Sequence, residues 1–131
     1  MGDMPRGRRF HSCGIVTHPE RGPEIVAVGG VDTERVLDTV DIYTVNTGFW
    51  REANNLPIPI TEAALVPYRD SFLLVGGSMN DTPGGPRLSD IYRYNAAEDE
   101  WIKLAGALKT PRSLHAAFLV SQSLFPGCKV V

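Results

Sequence analysis

The sequence is poor in the residues that build reactive centres. Among 131 residues there are two cysteines, Cys13 and Cys128, and three histidines, His11, His18 and His115. The cysteines form no metal or redox motif and read as free thiols of a reducing compartment. No histidine pair has the i, i+4 spacing of a helical zinc site, and no segment shows the 3.6-residue periodicity of a helix to carry one. No apolar run approaches the roughly 18 residues that cross a bilayer. The stretch from Met1 to Phe10 is polar and basic and lacks the apolar centre of a signal peptide. Arg6 stands where a myristoylation signal after Gly2 needs Ser or Thr. Blocks of like charge are also missing: 13 basic and 15 acidic residues are interspersed, for a net charge of -2. A nucleic-acid or anionic-membrane binder would show a strongly basic face, so both partners are excluded. These absences together favour the cytoplasm, unless a parent protein supplies a signal peptide.

What the chain has in plenty is turn residues, 13 Gly and 10 Pro, and a repeat. Val28-Gly29-Gly30 returns as Val75-Gly76-Gly77. Asp41-Ile42-Tyr43 returns as Asp90-Ile91-Tyr92, Asn46 as Asn95, and Trp50 as Trp101. The offsets are 47 for the glycines, 49 for the Asp-Ile-Tyr motif and 51 for the tryptophans, which implies two short insertions. A period near 50 residues points to propeller blades.

Short apolar or β-branched runs end at each Gly-Gly pair, namely residues 25–28 and 71–75. They read as buried strands. Residues 40–45 and 89–94 read as the next strands, and final strands begin near Trp50 and Trp101. Further strands at residues 11–16 and 63–68 precede the glycine strands. The expected fold class is therefore all-β, with blades of four-stranded antiparallel meander. Glycine after an inner strand permits positive φ and close backbone approach. The Tyr and Trp rings are expected to fill the space between sheets.

Two ordered sets, Gly29-Gly30, Tyr43, Trp50 and Gly76-Gly77, Tyr92, Trp101, resemble the kelch repeat. The likeness covers nearly the whole chain. Residues 1–58 read as a first repeat, 59–110 as a second, and 111–131 as the start of a third. The third is marked by Arg112 and His115, which echo Arg8 and His11 at an offset of 104. Propellers close with about 4–8 blades, and the resemblance implies six or seven. Two blades leave open apolar flanks, so the chain reads as a piece of a longer protein, or as one that closes a ring by self-association.

No catalytic residue, metal ligand or cofactor is expected. A Gly-x-Ser-x-Gly elbow and a Walker loop are absent, and Gly84-Gly85 belongs to a turn. Asp41 and Asp90 recur with the repeat and are assigned to structural hydrogen bonds with loop backbone. Glu98-Asp99-Glu100 reads as a solvated turn, and His11 and His115 as structural. Asn80-Asp81-Thr82 matches a glycosylation sequon without a secretion signal to support it. Variability is concentrated in residues 31–39 and 78–88, loops that differ in length by two residues by this motif alignment. Function on a rigid scaffold tends to lie in such loops. Asp32, Glu34, Arg35, Asn80, Asp81 and Arg87 are therefore the candidate binding residues. The resemblance implies a non-enzymatic module that docks a protein partner, as a ubiquitin-ligase substrate adaptor or a cytoskeletal scaffold. Its alternatives are a kelch-like oxidase or sugar-processing enzyme, and an extracellular carbohydrate- or receptor-binding propeller.

Overall fold

The computed structural model describes residues 2–83 and 85–120. Eight strands run in chain order: β1 Ser12–His18, β2 Gly22–Val28, β3 Val40–Thr44, β4 Phe49–Ala53, β5 Ala64–Tyr68, β6 Ser71–Val75, β7 Asp90–Asn95 and β8 Glu100–Ala107. They form two antiparallel meanders, β1-β2-β3-β4 and β5-β6-β7-β8. The expected third repeat is described only to residue 120, and Cys128 lies outside the described residues.

Side chains alternate across each strand, and the register puts one face of each sheet against the other. Val16, Val26, Val28, Val40, Ile42 and Ala53 from the first sheet share a buried core with Phe72, Leu74, Tyr92 and Tyr94 from the second. Leu56 and Ile60, from the connection between the sheets, complete it. Phe72 stacks on Tyr94 with centroids 4.9 Å apart, and Trp101 leans on both at 5.4 and 5.3 Å. The aromatic rings of the second sheet thus fill the seam, as their size requires. Each Trp also ties down the connection that precedes its sheet. Trp50 Nε1 donates to the Gly2 carbonyl at 3.1 Å, and Trp101 Nε1 to the Asn54 carbonyl at 3.2 Å.

The backbone register corrects the repeat alignment. Gly29 N donates to Thr39 O where Gly76 N donates to Asp90 O. Leu37 N donates to Gly30 O where Leu88 N donates to Gly77 O. Tyr43 lies opposite Trp50, and Tyr94 lies opposite Trp101. From Leu37 onward the true offset is therefore 51, so Tyr43 corresponds to Tyr94 and Asp41 to Tyr92. The recurring Asp-Ile-Tyr triplet is two residues out of register. Strand periodicity hides the slip, because a shift of two leaves every side chain on the same face. All the length difference falls in one loop: Gly30 to Leu37 spans 7 residues and Gly77 to Leu88 spans 11, a difference of four rather than two.

Other assigned roles change with it. Asp41 does not bond loop backbone; it forms a buried ion pair with Arg8. Asp90 instead faces Lys103 at 3.2 Å. Asp99 lies in the β7–β8 turn, as expected, but it is half-buried and bonded rather than merely solvated. Its Oδ1 accepts from Tyr94 Oη at 2.5 Å and from Asn54 N at 3.0 Å, tying the second sheet to the connection.

One charge cluster lies at the seam. Glu24 is buried, and its carboxylate accepts from Arg21 Nε at 2.7 Å, Thr44 Oγ1 at 3.1 Å and Arg51 Nη2 at 3.2 Å. Burial pushes this carboxyl up, but the Arg21, Arg51 and Thr44 contacts outweigh it and hold it below its usual value. Because the folded value is depressed, the stability it contributes is present above the unfolded value of about 4.3 and is lost as pH falls through the folded one. A series of thermal melts taken from neutral pH into acid should show this step, and Glu24→Gln should remove it. An acid limb unchanged by Glu24→Gln would refute the assignment.

Candidate functional site

The glycine pairs position the loop rim. A Cβ on Gly29 would lie 2.1 Å from Ile60 O, and one on Gly76 would lie 2.6 Å from Arg112 O. A Cβ on Gly30 would lie 2.7 Å from Arg9 O, and one on Gly77 would lie 2.7 Å from Thr61 O. All four glycines have positive φ. The absence of side chains lets Gly30 N reach Ile60 O at 2.9 Å and Gly77 N reach Arg112 O at 2.8 Å, so each repeat is bonded to the next. The backbones of 9 and 61 pair with 31 and 78, at the base of each variable loop.

One residue further along, the chain turns outward in the same way three times. Phe10, Glu62 and Leu114 have φ of 53°, 59° and 52°. They stand 52 residues apart in sequence. Left-handed backbone is uncommon for non-glycine residues. The other two cases among the described residues, Arg69 and Asp99, sit in tight turns between strands. A backbone ladder links the three: Glu62 N donates to Phe10 O, and Leu114 N to Glu62 O, both at 2.9 Å. Thr61 Oγ1 adds a bond to Phe10 O at 3.2 Å. The row is thus fixed, while Phe10 is 49% and Leu114 71% exposed.

The longer loop leans over this row. Arg9 Nη2 meets Asp81 Oδ2 at 2.9 Å, and the Arg9 guanidinium lies 5.7 Å from the Phe10 ring centroid. A hollow of about 350 Å³ results, lined by Phe10, Glu62, Asp81, Arg87 and Leu114, with Thr82 and Pro83 at its lip. Arg87 Nη1 donates to Gly85 O at 2.7 Å.

The six candidate residues therefore separate. Asp81 and Arg87 join the hollow. Asp32, Glu34 and Arg35 do not line it. Asp32 Oδ1 accepts from Glu34 N at 2.8 Å and Arg35 N at 2.9 Å, which holds its carboxyl below the usual range and folds its own loop. Asn80 acts likewise, accepting from Thr82 N at 3.3 Å. Sequence reasoning missed Phe10, Glu62, Leu114 and Arg9. The rim row repeats a conformation and not a residue type, so no identity recurs. The 52-residue spacing of neighbouring positions was the available signal. His11 and His115 pack against the glycines: His11 Cβ would lie 2.8 Å from a Cβ on Gly30, and His115 Cε1 equally close to one on Gly76. Burial, then the nearby Arg8 charge, lowers His11.

Known proteins share this sequence pattern. Kelch-like protein 21 of Rattus norvegicus is 32% identical over 127 residues, which is 95% of this chain and 19% of that protein. Kelch-like protein 21 of Homo sapiens matches to the same extent. Kelch-like protein 41b of Danio rerio is 30% identical over 95 residues, 71% of this chain and 15% of that protein. The chain is a kelch-repeat protein. Its two four-stranded sheets are kelch blades of a partial propeller. The kelch chain spans about a fifth or less of the length of the curated relatives it matches. No family model matches it.

Proposed function

We propose that this kelch chain is a protein-interaction module, the docking part of a larger protein, and that it seats a partner segment on the row Phe10, Glu62, Leu114. The observation that carries the reading is the triple recurrence of left-handed backbone at one repeat position. Each such residue costs roughly 1–2 kcal/mol, and such strain collects at ligand clamps. Here it turns a phenylalanine and a leucine toward solvent on a rigid scaffold. Exposed apolar anchors beside a hollow are the features a protein partner desolvates. The residues offered are of recognition type: apolar surface, carboxylates and a guanidinium. A substrate-recruiting role in a ubiquitin ligase and a cytoskeletal scaffolding role would both use this rim, and the choice between them rests with the rest of the protein.

A photo-reactive phenylalanine analogue placed at Phe10 tests the reading in cells. The control position is Phe49, which is 75% exposed and opens β4 just after the β3–β4 turn, at the opposite end of the strands. Discrete protein adducts are expected from position 10, absent from position 49, and lost on Leu114→Asp. Equal labelling from both positions, or adducts indifferent to Leu114→Asp, would remove the rim as the docking site.

A further inference from the structure

We infer that the segment seated on this rim presents a basic side chain flanked by apolar ones. The inference rests on the docking role proposed above and adds the chemistry of the partner.

The ladder fixes the order of the row as apolar, acidic, apolar: Phe10, Glu62, Leu114. Glu62 uses its backbone N and O in the ladder, and among the described residues its carboxylate enters no hydrogen bond or ion pair. The basic groups nearby are already engaged. Arg9 is paired with Asp81 and lies over the Phe10 ring. Arg87 is turned back on the Gly85 carbonyl of its own loop. Within the hollow itself, Asp81 is balanced by Arg9, which leaves the Glu62 carboxylate and the Arg87 guanidinium, the latter held back on its own loop. The Glu62 carboxylate, which has no internal partner among the described residues, sits between two apolar anchors. A Lys or Arg in the partner would meet Glu62, and its neighbours would cover Phe10 and Leu114. An acidic segment would face Glu62 with like charge and find Arg9 already neutralised.

Short fluorescent peptides test this on the full chain. Each carries a central Arg, Gln or Asp between fixed Leu and Phe residues, and binding is read by fluorescence anisotropy. The Arg peptides should bind best, about tenfold tighter than the Asp peptides. Glu62→Gln should weaken the Arg peptides about fivefold and leave the Gln peptides unchanged, a ratio at the top of the range for a partly exposed ion pair. Glu62→Lys should invert the preference toward Asp. Both variants keep the side-chain bulk at position 62, and circular dichroism confirms their fold. Binding that is lost on Leu114→Ser yet indifferent to central charge would overturn the basic-segment inference and leave the docking rim standing. Binding that ignores both Leu114→Ser and Phe10→Ser would overturn the rim reading itself.

Discussion

Gly29→Ala is expected to destabilise the fold by at least about 4 kcal/mol, whereas Gly48→Ala is expected to be tolerated. Both glycines have positive φ, 60° and 77°. An alanine at either position therefore meets the same conformational penalty of roughly 1–2 kcal/mol. They differ in what the new methyl group strikes. At Gly48 the nearest atom is Tyr43 Oη at 3.8 Å, an ordinary contact. At Gly29 it is Ile60 O at 2.1 Å, a backbone atom that cannot rotate aside. To accept the methyl, the connection at Ile60 must withdraw. That breaks the Gly30 N to Ile60 O bond, about 1 kcal/mol. It also pulls Ile60, 2% exposed, out of the shared core, a loss of about 2–5 kcal/mol by analogy with large-to-small core changes. The sum is at least about 4 kcal/mol, a large part of the 5–15 kcal/mol that holds an ordinary domain. Thermal denaturation of both variants checks this. Equal melting temperatures would show that φ alone governs the glycine requirement and that the contact with Ile60 is unimportant.

The same contacts show which parts of the molecule were legible beforehand. The glycine pairs were, because no other residue satisfies both the φ and the clearance, so the identity had to recur. Trp50 and Trp101 were, because each must both pack on the tyrosine opposite it and donate to a fixed carbonyl. The strands followed from the apolar runs between them. The two-residue slip at Asp90-Ile91-Tyr92 was not legible, since it preserves every face assignment and only hydrogen-bond partners reveal it. The rim row was hidden for the opposite reason. Phe10, Glu62 and Leu114 share a backbone conformation while their side chains diverge, and divergence is what recognition of a particular partner demands. Asp32 and Asn80 were read as candidates for offering their side chains to a partner, and the structure shows each accepting from its own loop backbone. Short polar side chains in loops commonly bond their own backbone two or three residues on, and these two do.

Asp41→Ala is expected to destabilise the chain by about 3–5 kcal/mol, because it leaves Arg8 charged and unpaired in the interior. The Arg8 side chain is 0% and that of Asp41 3% exposed. Arg8 keeps two other acceptors, Gly29 O and Thr39 O, each at 3.1 Å, but neither carries a compensating charge. Burial pushes Asp41 up and Arg8 down, and each partner's charge opposes the shift without cancelling it. A pair in that condition is a poor net stabiliser, however costly it is to break. The second repeat supplies the comparison. In the corrected register Arg8 corresponds to Ile60 and Asp41 to Tyr92, both buried in the apolar core. The double variant Arg8→Ile with Asp41→Tyr should therefore recover all of the lost stability and exceed the parent chain. Arg8→Ile alone should behave differently with pH. It removes the charge that opposes burial, so the folded-state carboxyl value of Asp41 rises further above the unfolded one, about 3.9. A raised value means that stability is fully present below the unfolded value and is lost as pH rises through the folded one. The variant should thus approach the parent in acid and fall away from it toward neutral pH, the reverse of the Glu24 step. Chemical denaturation across that range checks both claims. A double variant no more stable than Asp41→Ala would show that the two repeats do not share this position, and the register correction would fall with it.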